Sequence, residues 1–308
     1  MYNVYILLFF YKYNFMDSVS LKAYAKINIG LDITGKREDG YHLLKTCMQT
    51  IDIFDEITVS RLPAEDGPQI KITSDNADVP HDRTNIAWKA AALIKEKYGI
   101  SDRVSIFIKK SIPMAAGLAG GSTDGAAVIK AMDSLFGLKM SLNDMDGIAV
   151  RLGADVPFCL RQGLWLCEGI GEVLAQLPAI AGVCAVIAKP HFAVSTKWCY
   201  ETYDSLENVR HPDMDRLISA LEAENKEDVF SCIGNVLEAV SCPAHPEIDE
   251  MKELMLAEGA RCACMSGSGG TVFGLFTDRK KAEEACRAFK TYPAAESVFA
   301  ADFVYQEN

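Results

Sequence analysis

Several absences narrow the reading of this chain before any motif is considered. No Cys-x-x-Cys pair occurs among its 10 cysteines, so the usual zinc and thiol-redox spacings are missing. Basic residues are outnumbered, 31 Lys and Arg against 42 Asp and Glu for a formal net charge of −11. A non-specific nucleic-acid binder would carry a basic surface. A local cationic pocket for an anionic substrate is still compatible with that balance. No apolar run reaches the roughly 20 residues a membrane-spanning helix needs. Internal repeats, low-complexity tracts and obvious linkers are also absent. So are the His-Arg-Asp and Asp-Phe-Gly triplets of protein kinases.

What is present describes an ordinary globular chain. Its 308 residues are 49% hydrophobic and 24% charged, enough for one large domain or two moderate ones, and that composition argues against disorder. The cysteines are scattered through apolar stretches. Cys262 and Cys264 share one face of an expected strand, where they act as small hydrophobes. Reduced thiols point to the cytoplasm. Residues 1–15 lack the basic n-region and small-residue cleavage site of a secretory signal. Met16 directly precedes the first convincing strand. We expect translation to start there and residues 1–15 to be a non-native or disordered extension.

Apolar periodicity predicts strands at 21–34, 43–60, 69–73 and 103–109. It predicts helices at 84–98, capped by Thr84 or Asn85, at 122–136 and at 141–152. The second half reads as strands near 164–168, 183–188, 261–265, 271–276 and 297–305. Helices fit near 196–204, 213–223, 226–239, 246–257 and 279–290. Strands and helices mix without regular βαβ alternation, which favours an α+β fold. The chain is expected to divide between 160 and 190, into an N-terminal domain of 16–180 and a C-terminal domain of 181–308.

Five segments carry candidate chemistry. The densest is the bare run Pro113-Met114-Ala115-Ala116-Gly117-Leu118-Ala119-Gly120-Gly121-Ser122-Thr123, which leads into a helix. Exposed N–H groups at a helix N-terminus, with its positive dipole end, form an anion site. Ser122 and Thr123 add hydroxyls for phosphate oxygens or Mg2+. This run reads as a phosphate loop, against the alternative of a tight strand-to-helix turn. Gly30 to Lys36 imitates a Walker loop, but Arg37 stands where the metal-holding Ser or Thr belongs, and a turn follows instead of a helix.

Lys26 and Asn28 share one face of the first strand by its period of two. They form either a donor-rich surface or a solvated sheet face. Asp155, in Gly153-Ala-Asp155-Val-Pro157, follows a helix end, and Pro157 is expected to hold Val156 extended. That carboxylate reads as a base or as a turn residue. The run Ser266-Gly267-Ser268-Gly269-Gly270 is an anion nest or a plain turn. Tyr41 and His42 follow an Asp-Gly turn, placed either to meet a base or to fill a core edge.

Together these segments resemble the GHMP kinase superfamily, small-molecule kinases named after galactose, homoserine, mevalonate and phosphomevalonate. The 113–123 loop looks like its ATP loop and the 266–270 run like its third motif. The resemblance covers about residues 21–305. It is closer to one branch, which phosphorylates a cytidine-diphosphate-linked alcohol in isoprenoid precursor synthesis. It implies ATP, with Mg2+, and a cytidine-diphosphate-linked small molecule as partners. It implies Lys26 and Asp155 as the catalytic pair and Asn28 as a substrate ligand. Tyr41 and His42 would hold the cytosine, with Tyr200 as a second stacking face. Ser266, Gly267 and Gly269 would face substrate. Asn85 and Lys110 would line the adenosine end. Ala119 stands where some relatives carry Gly.

Overall fold

The computed structural model describes residues 17–62 and 67–305. The expected start at Met16 and the extension 1–15 lie outside them. The N-terminal part opens with two long antiparallel strands, β1 (Ser18–Lys36) and β2 (His42–Leu62). Then come β3 (Ile70–Ser74), α1 (Ile86–Tyr98), β4 (Arg103–Lys109), α2 (Gly120–Phe136), α3 (Leu142–Ala149), α4 (Val156–Cys159), β5 (Leu164–Gly169) and β6 (Val173–Gln176). The second part holds β7 (Cys184–Pro190), α5 (Thr196–Tyr203), α6 (Met214–Glu222), α7 (Lys226–Cys232), β8 (Gly234–Asn235) and α8 (Glu238–Ala244). It ends with α9 (Glu247–Ala257), β9 (Cys262–Met265), β10 (Val272–Phe276), α10 (Arg279–Phe289) and β11 (Ala295–Asp302).

The strands form a seven-stranded sheet along β3-β4-β2-β1-β8, with β5 paired to β2 and β6 to β5, and a four-stranded sheet in the order β11-β7-β10-β9. The architecture is α+β. Strand periodicity sorts the core into layers. Ile57, Val59, Ile106 and Ile108 pack beneath α1 and α2. Ala25, Ile27 and Ile29 of β1 instead meet Ala185, Ile187 and Phe273 of the second sheet. The alternate β7 residues Val186 and Ala188 turn to Met251, Met255 and Phe289. Because Ala25, Ile27 and Ile29 fill the inter-sheet core, the intervening Lys26 and Asn28 are directed to the opposite face of β1.

Local signals explain several boundaries. Asn85 caps α1 by accepting from the Ala87 N–H, and Gly99 ends it in the left-handed region at φ 63°. Ser141 and Asp144 form a reciprocal capping box at α3. Three expectations need correction. Val156 is the first residue of a short helix, not extended; Pro157 follows it in the first turn, where no intrahelical N–H bond is lost. Helix α2 begins at Gly120, two residues earlier than predicted. The expected helix 226–239 is broken, because Gly234 and Asn235 pair in parallel with Gly30 and Leu31 of β1. There a Cβ on Gly30 would lie 2.4 Å from Leu217 Cδ2.

One buried cluster ties the N-terminal sheet to the glycine-rich segment. Lys110, just past β4, places Nζ 2.5 Å from Asp55 Oδ2 and 2.9 Å from Asp124 Oδ2. The other Asp55 oxygen accepts from the N–H groups of Ser111 and Ile112. Burial alone would lower the Lys110 ammonium pKa, but the Asp124 and Asp55 charges hold it above its ordinary value. Burial pushes the Asp124 carboxyl up, against the pull of Lys110. Removing one partner of such a cluster leaves uncompensated buried charge, which costs roughly 3–5 kcal/mol. Lys110→Met is therefore expected to lower the thermal midpoint by about 6 °C or more; a melt within a degree of the parent would show the cluster to be dispensable.

Candidate active site

The site starts from β1. Lys26 is 4% exposed, and its ammonium donates to Asn28 Oδ1 at 2.6 Å and to the Gly117 carbonyl at 3.0 Å. An ammonium has three N–H donors. Asp155 Oδ2 lies 3.8 Å away, beyond hydrogen-bond range. Among the described residues, the third donor is therefore left for an incoming oxygen. Asn28 is fixed in turn, its amide donating to Thr46 Oγ1, whose hydroxyl donates to the Gly30 carbonyl. Lys26 and Asn28 thus occupy a buried polar seam and not a solvated sheet face.

The two glycine-rich segments meet at this seam. The Gly117 carbonyl also accepts from Ser266 Oγ at 3.2 Å, and the Asn28 N–H donates to the same hydroxyl at 3.3 Å. The contact is close because neither backbone carries bulk: Gly117 has φ 70°, and a Cβ on it would lie 2.4 Å from the Ser266 carbonyl oxygen. Asn235 and Ser241 hold the second segment from behind. Asn235 donates to the Met265 and Gly267 carbonyls and Ser241 to the Ser268 carbonyl. Gly267 lines the cleft; Ser266 is buried, and Gly269 packs over Met265.

Past Gly117 the chain turns into α2. Ala119 occupies its N-cap at φ 59°, with no side-chain cap and no acidic residue in the first turn. The leading N–H groups of a 17-residue helix are therefore not claimed by a side-chain cap, as an anion site requires. Gly117, Ala119 and Ser122 line the cleft. Ala116, Leu118 and Thr123 are buried, so Ser122 is the hydroxyl on offer. Pro113, Met114 and Ala115 form the approach to the loop, and Gly120 and Gly121 the first turn of the helix.

Asp155 stands at the mouth of α4, 35% exposed and facing the same cleft as Lys26. The cleft encloses about 730 Å³, within the usual range for a small-molecule site. Its far end is aromatic. Tyr41 is 60% exposed. His42 packs on Tyr200 with ring centroids 4.9 Å apart and planes tilted by 33°. Burial, and then the Asp155 charge, push the Tyr200 hydroxyl pKa up, so Tyr200 serves as a neutral ring. The structure gives Asn85 and Lys110 other partners than expected. Asn85 caps α1 and donates to the Pro80 carbonyl, and Lys110 is sealed between two carboxylates. Neither lines the cleft. Thr46, Asp55, Asn235 and Ser241 escaped sequence reasoning, because each is a solitary polar residue whose partners lie far along the chain.

The family model of the GHMP kinases N terminal domain matches residues 85–163, and that of the GHMP kinases C terminal matches 205–295. A 4-diphosphocytidyl-2-C-methyl-D-erythritol kinase of Lachnoclostridium phytofermentans is 43% identical over 293 residues, covering 95% of this chain and all of the relative (100%). The chain belongs to the GHMP kinase family. It is a small-molecule kinase. A second such relative, from Clostridium beijerinckii, is 46% identical over 265 residues, 86% of this chain and 93% of its own. A solved 4-(cytidine 5'-diphospho)-2C-methyl-D-erythritol kinase superposes with TM-score 0.76 at 29% identity, covering 94% of this chain and 100% of its own. Homoserine kinase from Cytophaga hutchinsonii shares the fold, with TM-score 0.77 at 22% identity over 99% of this chain and 98% of its own. The N-terminal GHMP model takes in the glycine-rich segment and Asp155 but not Lys26, which the fold adds from β1. Gly117→Ala should break the contact with Ser266. A left-handed alanine costs about 1–2 kcal/mol before any clash, so we expect turnover to fall at least tenfold with a lowered melt. Parental turnover would show that the two segments need not touch.

Proposed function

We propose that this kinase transfers the γ-phosphoryl group of ATP to the 2-hydroxyl of 4-diphosphocytidyl-2-C-methyl-D-erythritol, a step of non-mevalonate isoprenoid precursor biosynthesis. The carrying observation is the buried Lys26 ammonium, with one donor unused, 3.8 Å from a half-exposed carboxylate in one cleft. Phosphoryl transfer needs placement and charge stabilisation more than covalent chemistry. Lys26 supplies a fixed positive charge, oriented by Asn28 and the Gly117 carbonyl, where the transferring group passes. Asp155 takes the proton from the attacking hydroxyl. The N-terminus of α2 and the 113–122 segment receive the nucleotide phosphates.

The relatives' shared name supports the choice of substrate, and so does the aromatic end of the cleft. Stacking on Tyr41 and polar contact with His42 would hold the cytosine, and that remote binding energy positions the hydroxyl. Among the described residues no group of three or more His, Cys, Asp or Glu is gathered to hold a metal. That fits Mg2+ carried chiefly by ATP phosphates and water, with Ser122 and Asp155 as the side chains that would reach it. Bound there, the ion would neutralise phosphate charge. All 10 cysteines are free and buried, which supports a cytoplasmic, reducing location.

An ATP-consumption assay offering the cytidine substrate, homoserine and mevalonate in parallel tests the proposal. Turnover confined to the cytidine substrate is expected, and turnover of either other alcohol instead would overturn it. Asp155→Asn should cut turnover roughly 10²–10⁴-fold with ATP affinity nearly unchanged; near-parental turnover removes Asp155 as the base. Tyr41→Ala should act mainly on the KM for the cytidine substrate, since stacking a base on an aromatic ring is worth about 1–3 kcal/mol. An unaltered KM would take Tyr41 out of the site.

A further inference from the structure

We propose that Asp204 is a positioning residue that fixes His42 as the Nε2–H tautomer, leaving Nδ1 to accept from the exocyclic amine of cytosine and so selecting cytidine over uridine. The inference rests on reading the aromatic end of the cleft as the base pocket.

Asp204 Oδ1 lies 2.7 Å from His42 Nε2. An ionised carboxylate only accepts hydrogen bonds, so the proton in this contact belongs to the imidazole. The other oxygen, Oδ2, accepts from Lys36 Nζ at 2.6 Å. That lysine, first, and then His42 hold the Asp204 carboxyl below its ordinary pKa. Lys36 shares the carboxylate charge, and the contact asks of His42 only an Nε2–H donor. Asp204, Tyr200 and Tyr203 contact the ring, Lys36 reaches it through Asp204, and Tyr41, Lys197 and Glu201 line the same cleft.

The ring has little freedom to turn. Lys36 and His42 are the last cross-strand pair of the β1–β2 ladder. Asp204 caps the C-terminus of α5, its N–H donating to the Tyr200 carbonyl. Tyr200 packs on the His42 face, and Tyr203 meets the ring edge-on at 6.4 Å and 85°. One carboxylate therefore joins the turn end of the hairpin to the helix that carries the stacking tyrosine. With Nε2 committed, only Nδ1 remains for a ligand, and in this tautomer it is an acceptor. Cytosine presents an amino donor where uracil presents a carbonyl acceptor. A lone pair on Nδ1 matches the first and opposes the second. A site built to bond one polar group discriminates strongly against its inverse.

The test uses the full chain with the cytidine-diphosphate substrate and its uridine counterpart. Wild type should prefer the cytidine compound. In Asp204→Asn the carboxamide can donate to the ring as well as accept from it, so the tautomer is released. The ratio of kcat/KM for cytidine over uridine should then fall roughly 10- to 100-fold, through KM for the cytidine substrate, with KM for ATP unmoved. A purely structural role would lower both substrates together and leave the ratio intact, which would overturn the proposal. A second measurement does not depend on the variant folding. The histidine ring 15N shifts of wild type, saturated with cytidine 5'-diphosphate, should report the Nε2–H form for His42. An Nδ1–H form there would equally overturn it. Wild type inactive on the cytidine compound would instead overturn the substrate assignment beneath the inference.

Discussion

The site is organised around one carbonyl oxygen, that of Gly117. It accepts from Lys26 Nζ on one side and from Ser266 Oγ on the other. Three segments remote in sequence, the first strand, the loop before α2 and the loop between β9 and β10, therefore share one acceptor. Burying an ammonium costs several kcal/mol, and the hydrogen bonds that meet it return about 1.5–3 kcal/mol each. Two such bonds roughly offset the cost and leave little surplus. Lys26 is thus a poor device for stability. Under the proposed function, its value is a charge held in one place with one donor left over among the described residues, as a transferring phosphoryl group needs.

The same residue types are used twice, to opposite ends. Lys110 is also a buried lysine beside aspartates, but it is enclosed at 2.5 and 2.9 Å by two carboxylates, and its donors face inward. Lys26 stands 3.8 Å from one half-exposed carboxylate, and that gap opens on the cleft. The distinction between a structural clamp and a catalytic charge lies in separation and access, not in residue identity. The clamp nevertheless serves the site. Asp55 fixes the backbone at Ser111 and Ile112, where the glycine-rich segment begins, and Asp124 sits on α2, where it ends.

Most of the fold was legible because its signals are local. Alternation marks β1 and β2, Asn85 announces α1, and Ser141 with Asp144 announces α3. Misreadings fall where a distant partner decides. The bias of a pre-proline residue predicts Val156 extended, but burial of Val156 and Phe158 winds that segment into a turn of helix. Gly234 and Asn235 sit within a helical pattern, yet β1 captures them as a strand. The family resemblance assigns Lys110 to the nucleotide, whereas the packing holds its ammonium between Asp55 and Asp124. Asn28 was visible as a donor beside Lys26, whereas Thr46, which orients it, carries no pattern of its own.

The two ends of the cleft are built on different principles, and that bears on how one fold serves several alcohols. The end beside α2 is largely backbone and small residues, Gly117, Ala119 and Ser122, around the Lys26 ammonium. Homoserine kinase from Cytophaga hutchinsonii shares the fold at 22% identity, so this backbone arrangement tolerates wide change in side chains. The far end is made of side chains on the β1–β2 hairpin and on α5, elements from opposite parts of the chain joined through Asp204. Substitutions there can reshape recognition without disturbing the contact at Gly117. Under the proposed function, selectivity belongs to the hairpin and α5, and phosphoryl transfer to the seam. Their separation in space allows the first to vary while the second is kept.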